Sequence, residues 1–433
     1  ATDQLAQVIP YSLTKHPFFM GGACIREEDN AAGSEEDPSP ICTFGFCCKG
    51  PVWRKFNGTA FERVLEVDGN LGASFVRLVD AEYILRWKKD ELMVRRQELP
   101  EEAFISLEEL KTWPGGGLKE DHLRIIVVSH PWQQPTHPDP KGFSLKTLKK
   151  VLRCFLQATG GKYAVFLDYL SVCQKGNNME QRNGHEDALF QGALSAMMNW
   201  FKHPKTLVLK LTDLPPGYPN GWNFPPGYGA NKSKYLDRGW CFCESSVSDL
   251  TKNSDLTLDL AEYSGTKNLY ELCMQGKSRR KPPLTPDVFD RLLNTKSFTT
   301  PSVDMGLVKG LYRNAFQANL SEAKKLQYVE LEWGDEDMHV FAQACQSGVL
   351  RNLKELYLYT NNIKDGGCMA LAEACGFLPS LTVLDLSYNQ ISDVGCQHLA
   401  QACATGALPN LKTLNIDGNN IGQVGRQAFE SVP

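Results

Sequence analysis

"LRIIVVSH", Leu123 to His130, holds an unbroken apolar run, Ile125 to Val128, that ends in a hydroxyl and an imidazole. A strand covered on one face only alternates apolar with polar residues. This run does not alternate, so it reads as a strand buried on both faces, of the kind found in parallel sheets layered between helices. Working outward, the pattern recurs. "YAVFLDYL" (Tyr163 to Leu170), "TLVLKL" (Thr206 to Leu211) and "DLTLDL" (Asp255 to Leu260) read as three further strands. Between them, "SLKTLKKVLRCFLQ" puts Leu145, Leu148, Val151, Leu152 and Phe155 on one helix face. "DALFQGALSAMMNWF" does the same with Leu189, Ala193, Met197 and Trp200. "YLDRGWCFCESSVSDL", Tyr235 to Leu250, adds a third helix. This alternation predicts a doubly wound α/β fold with parallel strands over Ile125–Val128, Val165–Asp168 and Leu207–Leu211.

Ahead of this unit, residues 1–120 read as a region of unclear fold. It contains an acidic surface loop, "REEDNAAGSEEDPSP", and a helix from Phe75 to Leu99 carried by Val76, Val79, Ile84, Leu85 and Leu92. "WPGGG" at Trp113–Gly117 marks the boundary. The α/β domain then covers 121–265 and a helical connector 266–322. "QGKS" at Gln275–Ser278 is not a phosphate loop, because Glu271 stands where that motif needs glycine.

The last part, 323–433, is a repeat. "LKELYLYTNNI" (Leu353), "LTVLDLSYNQI" (Leu381) and "LKTLNIDGNNI" (Leu411) follow L-x-x-L-x-L-x-x-N-x-I, with Ile416 for the third leucine of the last copy, and a weaker copy, "LQYVELEWGDE", starts at Leu326. Helical segments such as "GCMALAEAC" follow each match. The pattern resembles leucine-rich repeats of the ribonuclease-inhibitor type. That resemblance implies a short solenoid with leucines inside, Asn361, Asn389 and Asn419 satisfying backbone groups at the turns, and a curved binding surface. Strand alternation then turns Tyr328, Glu330, Glu332, Glu355, Tyr357, Tyr359, Val383, Asp385, Ser387, Thr413, Asn415 and Asp417 outward on the concave face. This set holds five carboxylates, three tyrosines and no Lys or Arg, which suits a basic protein partner.

In open parallel sheets, ligands lie beyond the carboxyl ends of the strands. Those ends carry Ser129, His130 and Trp132, then Asp168 and Tyr169, and a long loop that repeats "PPGY" and leads into Arg238, Trp240 and Glu244. We expect His130, Asp168, Arg238 and Glu244 at one rim, with Arg238 paired to Asp168. Each has a plainer reading: His130 as a strand cap, Asp168 as a helix cap, Trp240 as a core anchor. His137 in "THPDP" reads as a turn residue, and His185, Glu186 and Asp187 as a helix N-terminus with acidic residues against the dipole.

The order of these elements, together with "WCFCE" (Trp240–Glu244) and "FLDYLSVCQ" (Phe166–Gln174), resembles the TIR fold and the related heterokaryon-incompatibility (HET) domain. The resemblance implies that Glu244 is catalytic in splitting the N-glycosidic bond of NAD as substrate. Glu244 is the one position carried over from the resemblance; the strand ends and the loop place His130, Trp132, Asp168, Arg238 and Trp240 around the ligand. Self-association is the other role it implies. No resident cofactor and no metal site is expected.

The net charge of −4, with Arg279, Arg280 and Lys281 as the only notable basic patch, does not favour nucleic acid. No apolar stretch approaches the ~20 residues of a membrane span. Fourteen cysteines in mostly apolar contexts suit buried thiols in an intracellular, cytoplasmic setting; the chain begins at Ala1, so organellar targeting stays open. Cys24, Cys42, Cys47 and Cys48 form an N-terminal group read as a local disulfide or free thiols. Three functions compete: an interaction or signalling scaffold, which ranks first; an NAD-cleaving glycohydrolase using Glu244; and a structural subunit of a larger assembly.

Overall fold

A computed structural model describes residues 50–118, 121–176, 180–261 and 263–430, so the four N-terminal cysteines lie outside the described residues. Six strands build the first sheet: β1 (Leu78–Asp80), β2 (Phe104–Ile105), β3 (Ile125–Ser129), β4 (Ala164–Phe166), β5 (Leu207–Lys210) and β6 (Thr257–Asp259). Their spatial order is β2-β1-β4-β3-β5-β6. The strands read from apolar runs are parallel, with Ile126 opposite Val165 and Leu207, and Leu209 opposite Leu258. Among these four the order is second-first-third-fourth, so the chain reverses direction across the sheet between β3 and β5. Side chains alternate along β3. Ile125 and Val127 enter one core, while Ile126 and Val128 enter another on the opposite face.

Helices α1 (Phe143–Thr159), α2 (Gly184–Ser195), α3 (Met197–Lys202) and α4 (Gly239–Ser248) come from the expected segments. The second expected helix breaks at Ala196, whose ψ of 4° is not helical. Asn183 caps α2 and Glu186 reaches back to its backbone, so "NGHED" is a helix start, as its plainer reading had it.

The segment 75–99 is not the single helix its periodicity suggested. Leu78–Asp80 pairs antiparallel with β4, only Ala81–Arg86 is α-helical, and Arg96–Glu98 is a single 3-10 turn. Its apolar residues fit a sheet edge and one helical turn equally well, and the buried neighbour β4 decides between them. Strands β1 and β2 therefore extend the α/β sheet with residues ahead of 121.

Helix α5 (Leu269–Gly276) covers the sheet, and α6 (Pro286–Leu293) and α7 (Pro301–Glu322) lead to the repeats. There, β7 (Lys325–Gln327), β8 (Glu355–Tyr357), β9 (Val383–Asp385) and β10 (Thr413–Asn415) form a parallel sheet in simple succession. Helices α8 (Asp335–Gln346), α9 (Asp365–Ala374), α10 (Asp393–Ala404) and α11 (Gln423–Glu430) stack in the same order.

The first copy is out of phase with its sequence match. Leu326 was aligned with Leu353, but it lies opposite Leu356. Backbone geometry agrees with the corrected phase. Glu330, Thr360, Tyr388 and Gly418 occupy one repeat position and all are left-handed, with φ of 55°, 56°, 53° and 71°. Leu331 then stands where later copies have asparagine. Asn361 serves that turn from the next copy, accepting from the Leu331 and Trp333 amides at 3.0 and 3.1 Å and donating to the Tyr328 and Leu358 carbonyls.

The repeats are not a separate arc. Leu250, Phe289, Tyr312, Phe316, Tyr328, Trp333 and Leu356 belong to one continuous core that runs from α4 through α6 and α7 into the repeats. Among the described residues, no helix is long and apolar enough to cross a membrane.

Candidate functional site

Two adjacent residues at the carboxyl end of β3 organise the rim. Because side chains alternate, Ser129 turns towards α4 and His130 towards the opposite face. The Ser129 hydroxyl donates to the Glu244 carboxylate and lies 2.5 Å from the Tyr235 hydroxyl. The His130 ring is buried, and Nε2 is 3.6 Å from Asp168 Oδ1. Neither His130 ring nitrogen has a hydrogen bond among the described residues. Asp168 opens a helical turn, Asp168–Ser171, just past β4. It accepts from the Trp132 indole at 2.9 Å and from the Tyr169 amide at 2.7 Å. His130, Trp132, Asp168 and Glu244 thus meet at the end of β3, where the strand order reverses, and this is where an open α/β sheet leaves a crevice.

Glu244 is partly buried. Burial pushes its carboxyl up to about 8; the Ser129 hydrogen bond opposes this and the Asp168 charge adds to it. Burial likewise raises Tyr235, Cys241 and Cys243 well above their ordinary values.

Arg238 does not pair with Asp168. Its guanidinium donates to three backbone carbonyls, of Ser233 at 3.0 Å, Trp132 and Asn231, and is largely buried. It works as a clamp that holds the long loop onto the segment after β3. The loop adds its own ties: Tyr218 donates to the Gln133 carbonyl at 2.8 Å, and Lys141 sits 3.6 Å over the Trp222 ring. Trp240 also lies away from the crevice. It packs on the core shared with the connector, and its indole faces Asp304 on α7. Four apart, Trp240 and Glu244 share a face of α4, and the split arises because the connector covers the first turn of that helix and takes Trp240. His137 is a turn residue, accepting from the Asp139 amide and meeting the Met93 carbonyl. Tyr235 was missed, although it lies in the quoted stretch; nothing local marks a tyrosine as the partner of a serine so distant in sequence. Among the described residues, no cluster of His, Cys, Asp and Glu could hold a metal ion.

The repeat face differs from its expected make-up. Tyr328 is fully buried, stacked on Trp333, with its hydroxyl donating to the Leu250 carbonyl at 2.5 Å; it is a core residue and no surface anchor. Glu330 and Glu332 are exposed but engaged, by Lys277 at 2.8 Å and Arg279 at 2.7 Å. A third pair, Lys281 with Asp337, completes a basic strap over the first copy. The short basic patch of the connector is therefore matched within the chain. Corrected phasing also puts Lys325 on the face, 3.7 Å from Glu355 and over the Tyr357 ring. Beyond these, Tyr357 and Tyr359 meet edge to face, Asp385 lies beside Tyr357 across the ladder, and Asp417 is exposed.

Residues 349–372 match the leucine rich repeat model, and residues 379–426 match a model of two such repeats. None of the curated proteins matches the chain. Leucine-rich repeats generally mediate protein–protein interaction, which supports a protein-binding role.

Proposed function

We propose that the chain is an interaction scaffold of the signalling kind, in which the repeats hold a protein partner on their strand face and the TIR/HET-like α/β domain signals or assembles. The observation that carries this reading is the row Tyr357, Tyr359, Asp385 and Asp417. It is aromatic and acidic, carried on the strands (Tyr357, Asp385) and just past their ends (Tyr359, Asp417), and only partly used by contacts within the chain. A basic segment suits it: tyrosines supply contact area at little entropic cost and carboxylates steer the approach. The strap shows the same chemistry in cis, since Lys277 and Arg279 sit on Glu330 and Glu332. The test is retention from source extract on immobilised chain, eluted with a salt gradient. Retention that falls with salt and is lost in Tyr357→Ala with Asp385→Lys supports the reading. Retention indifferent to both removes this face.

A second reading is favoured by one observation. A partly buried carboxyl, Glu244, stands at the strand-order reversal with Asp168 nearby. That is the placement expected of a hydrolase splitting an N-glycosidic bond, where positive charge grows on the ribose. The second-first-third-fourth strand order also suits the TIR/HET resemblance. Release of the free base from NAD or from another riboside by the wild type would establish this activity; no release from any of them would end it.

A further inference from the structure

We propose that the rim holds a divided pair, Glu244 as proton donor and Asp168 as fixed negative charge, and that it fits a neutral N-riboside whose leaving nitrogen must take up a proton. This rests on the hydrolase reading above and narrows its substrate class.

The division follows from what surrounds each group. Ser129 and His130 are consecutive and point to opposite faces, so the two carboxyls they contact straddle the end of β3. Around Glu244 are the Ser129 hydroxyl from β3 and the Asp168 charge; the Tyr235 hydroxyl of the loop joins through Ser129, and the Cys241 and Cys243 thiols of its own helix turn to the His130 carbonyl and to Met198. The nearby guanidinium of Arg238 is committed to carbonyls of the loop and of Trp132. A carboxyl enclosed by neutral groups and one like charge keeps its proton. Asp168 is placed differently. Its oxygens meet donors, the Trp132 indole and the Tyr169 amide, with the His130 ring at 3.6 Å, and about a third of its side chain reaches solvent. These donors fix the Asp168 carboxylate in place at the end of β4. A proton-holding carboxyl beside a carboxylate fixed by donors is the usual arrangement of an acid and an anion at one bond.

The reaction balances on these two groups. The bond between ribose C1′ and the base nitrogen breaks, and its electron pair leaves with the nitrogen. The Glu244 proton goes to that nitrogen. The positive charge left on C1′ and the ring oxygen faces Asp168. Water adds to C1′, and its proton returns to Glu244. A pyridinium base behaves otherwise: it leaves as a neutral molecule and needs no proton. The proton on Glu244 is therefore of no use for NAD but is required for a purine riboside.

The test uses the full chain with three probes: inosine, NAD and p-nitrophenyl β-D-ribofuranoside, whose phenolate leaves without a proton. We expect the wild type to hydrolyse inosine at least about tenfold faster than NAD. Glu244→Gln should slow inosine by about 100-fold, the scale of general-acid catalysis. It should leave the nitrophenyl riboside within about threefold, which also reports that the variant is folded. Asp168→Asn should slow both ribosides by a similar large factor, since stabilising the cation is common to them. A preference for NAD, or equal slowing of both ribosides in Glu244→Gln, overturns the proposal while leaving the hydrolase reading intact. Hydrolysis of none of the three by the wild type removes both together.

Discussion

Glu244→Gln keeps the shape of the side chain and a hydrogen-bonding partner for Ser129, and removes only the titrating proton. An ordinary glutamate ionises near 4.5, and Glu244 is pushed up to about 8 by burial and by Asp168. The folded value lies above the unfolded one, so the folded state binds more protons and stability falls as pH rises through that window. Below about 4.5 both states are protonated and nothing is lost. Above about 8 the whole difference is lost. At about 1.4 kcal/mol per unit, the cost is about 3 kcal/mol at pH 7 and about 4–5 kcal/mol above pH 8. Glutamine carries no such cost at any pH. Unfolding entropy of about 2.1 cal/mol/K per residue gives roughly 0.9 kcal/mol per degree for a chain of 433 residues. The variant should therefore melt about 4–5 °C above the wild type at pH 8.5, and within about one degree of it at pH 5. Calorimetry at the two pH values measures this. A Tm difference that does not change with pH, or a wild type that is the more stable at pH 8.5, refutes the assignment of a held proton to Glu244.

Two further changes probe the repeats. In Asn389→Ala the Ile363 amide loses its acceptor at 3.1 Å, whereas the Leu358 and Leu386 carbonyls keep Asn361 and Asn419 as donors. One orphaned amide and the lost bonds together cost about 3 kcal/mol, read as a lower urea midpoint; a loss below about 1 kcal/mol would mean that the turn re-forms without the asparagine. In Gly418→Ala the new methyl would lie 2.7 Å from the Tyr388 ring at a φ of 71°. We expect a loss of about 1–2 kcal/mol, from the backbone and from the displaced ring. Repeating the change in a Tyr388→Ala background should recover the ring's share, and equal losses in both backgrounds would assign the whole effect to the backbone.

How much of this was legible in the sequence depended on whether the determining contact was local. Buried parallel strands were legible because a short apolar run such as Ile125–Val128, β-branched at every position, favours a strand over a buried helical segment. The repeats were plain where leucine and asparagine stood at every position. They were misphased where Leu331 replaced the asparagine, because the missing Asn361 contact comes from the next copy. The rim of Glu244, Asp168, Trp132 and His130 was placed from strand ends alone. The failed pairing of Arg238 with Asp168 has a physical reason: charge type in sequence cannot tell a carboxylate partner from three carbonyls of a loop. Tyr328 was read as outward by alternation from a wrong starting residue, and its real neighbours are Leu250, from just past α4, and Trp333 of its own copy.

The strap raises a question of what holds the repeats to the α/β sheet, and magnitudes answer it. Lys277–Glu330, Arg279–Glu332 and Lys281–Asp337 are exposed on at least one side, so each contributes between nothing and about 1 kcal/mol and weakens with salt. Arg280 is different. It is almost wholly buried between those pairs, donates to Ser254 at 3.0 Å and to the Gln327 carbonyl, and lies over the Tyr328 ring. Its own carbonyl accepts from the Trp333 indole at 2.8 Å. Tyr328 and Trp333 are buried beside it, and burying one aromatic side chain is worth about 1.5–3 kcal/mol, largely independent of salt. Salt should therefore loosen the outer pairs without parting the two halves. A partner held by Asp385 and Asp417 would then be released by salt from an intact chain. Tryptophan fluorescence that stays constant across the eluting gradient is the expected record, and a shift coincident with release would mean that the repeats had come away from the sheet.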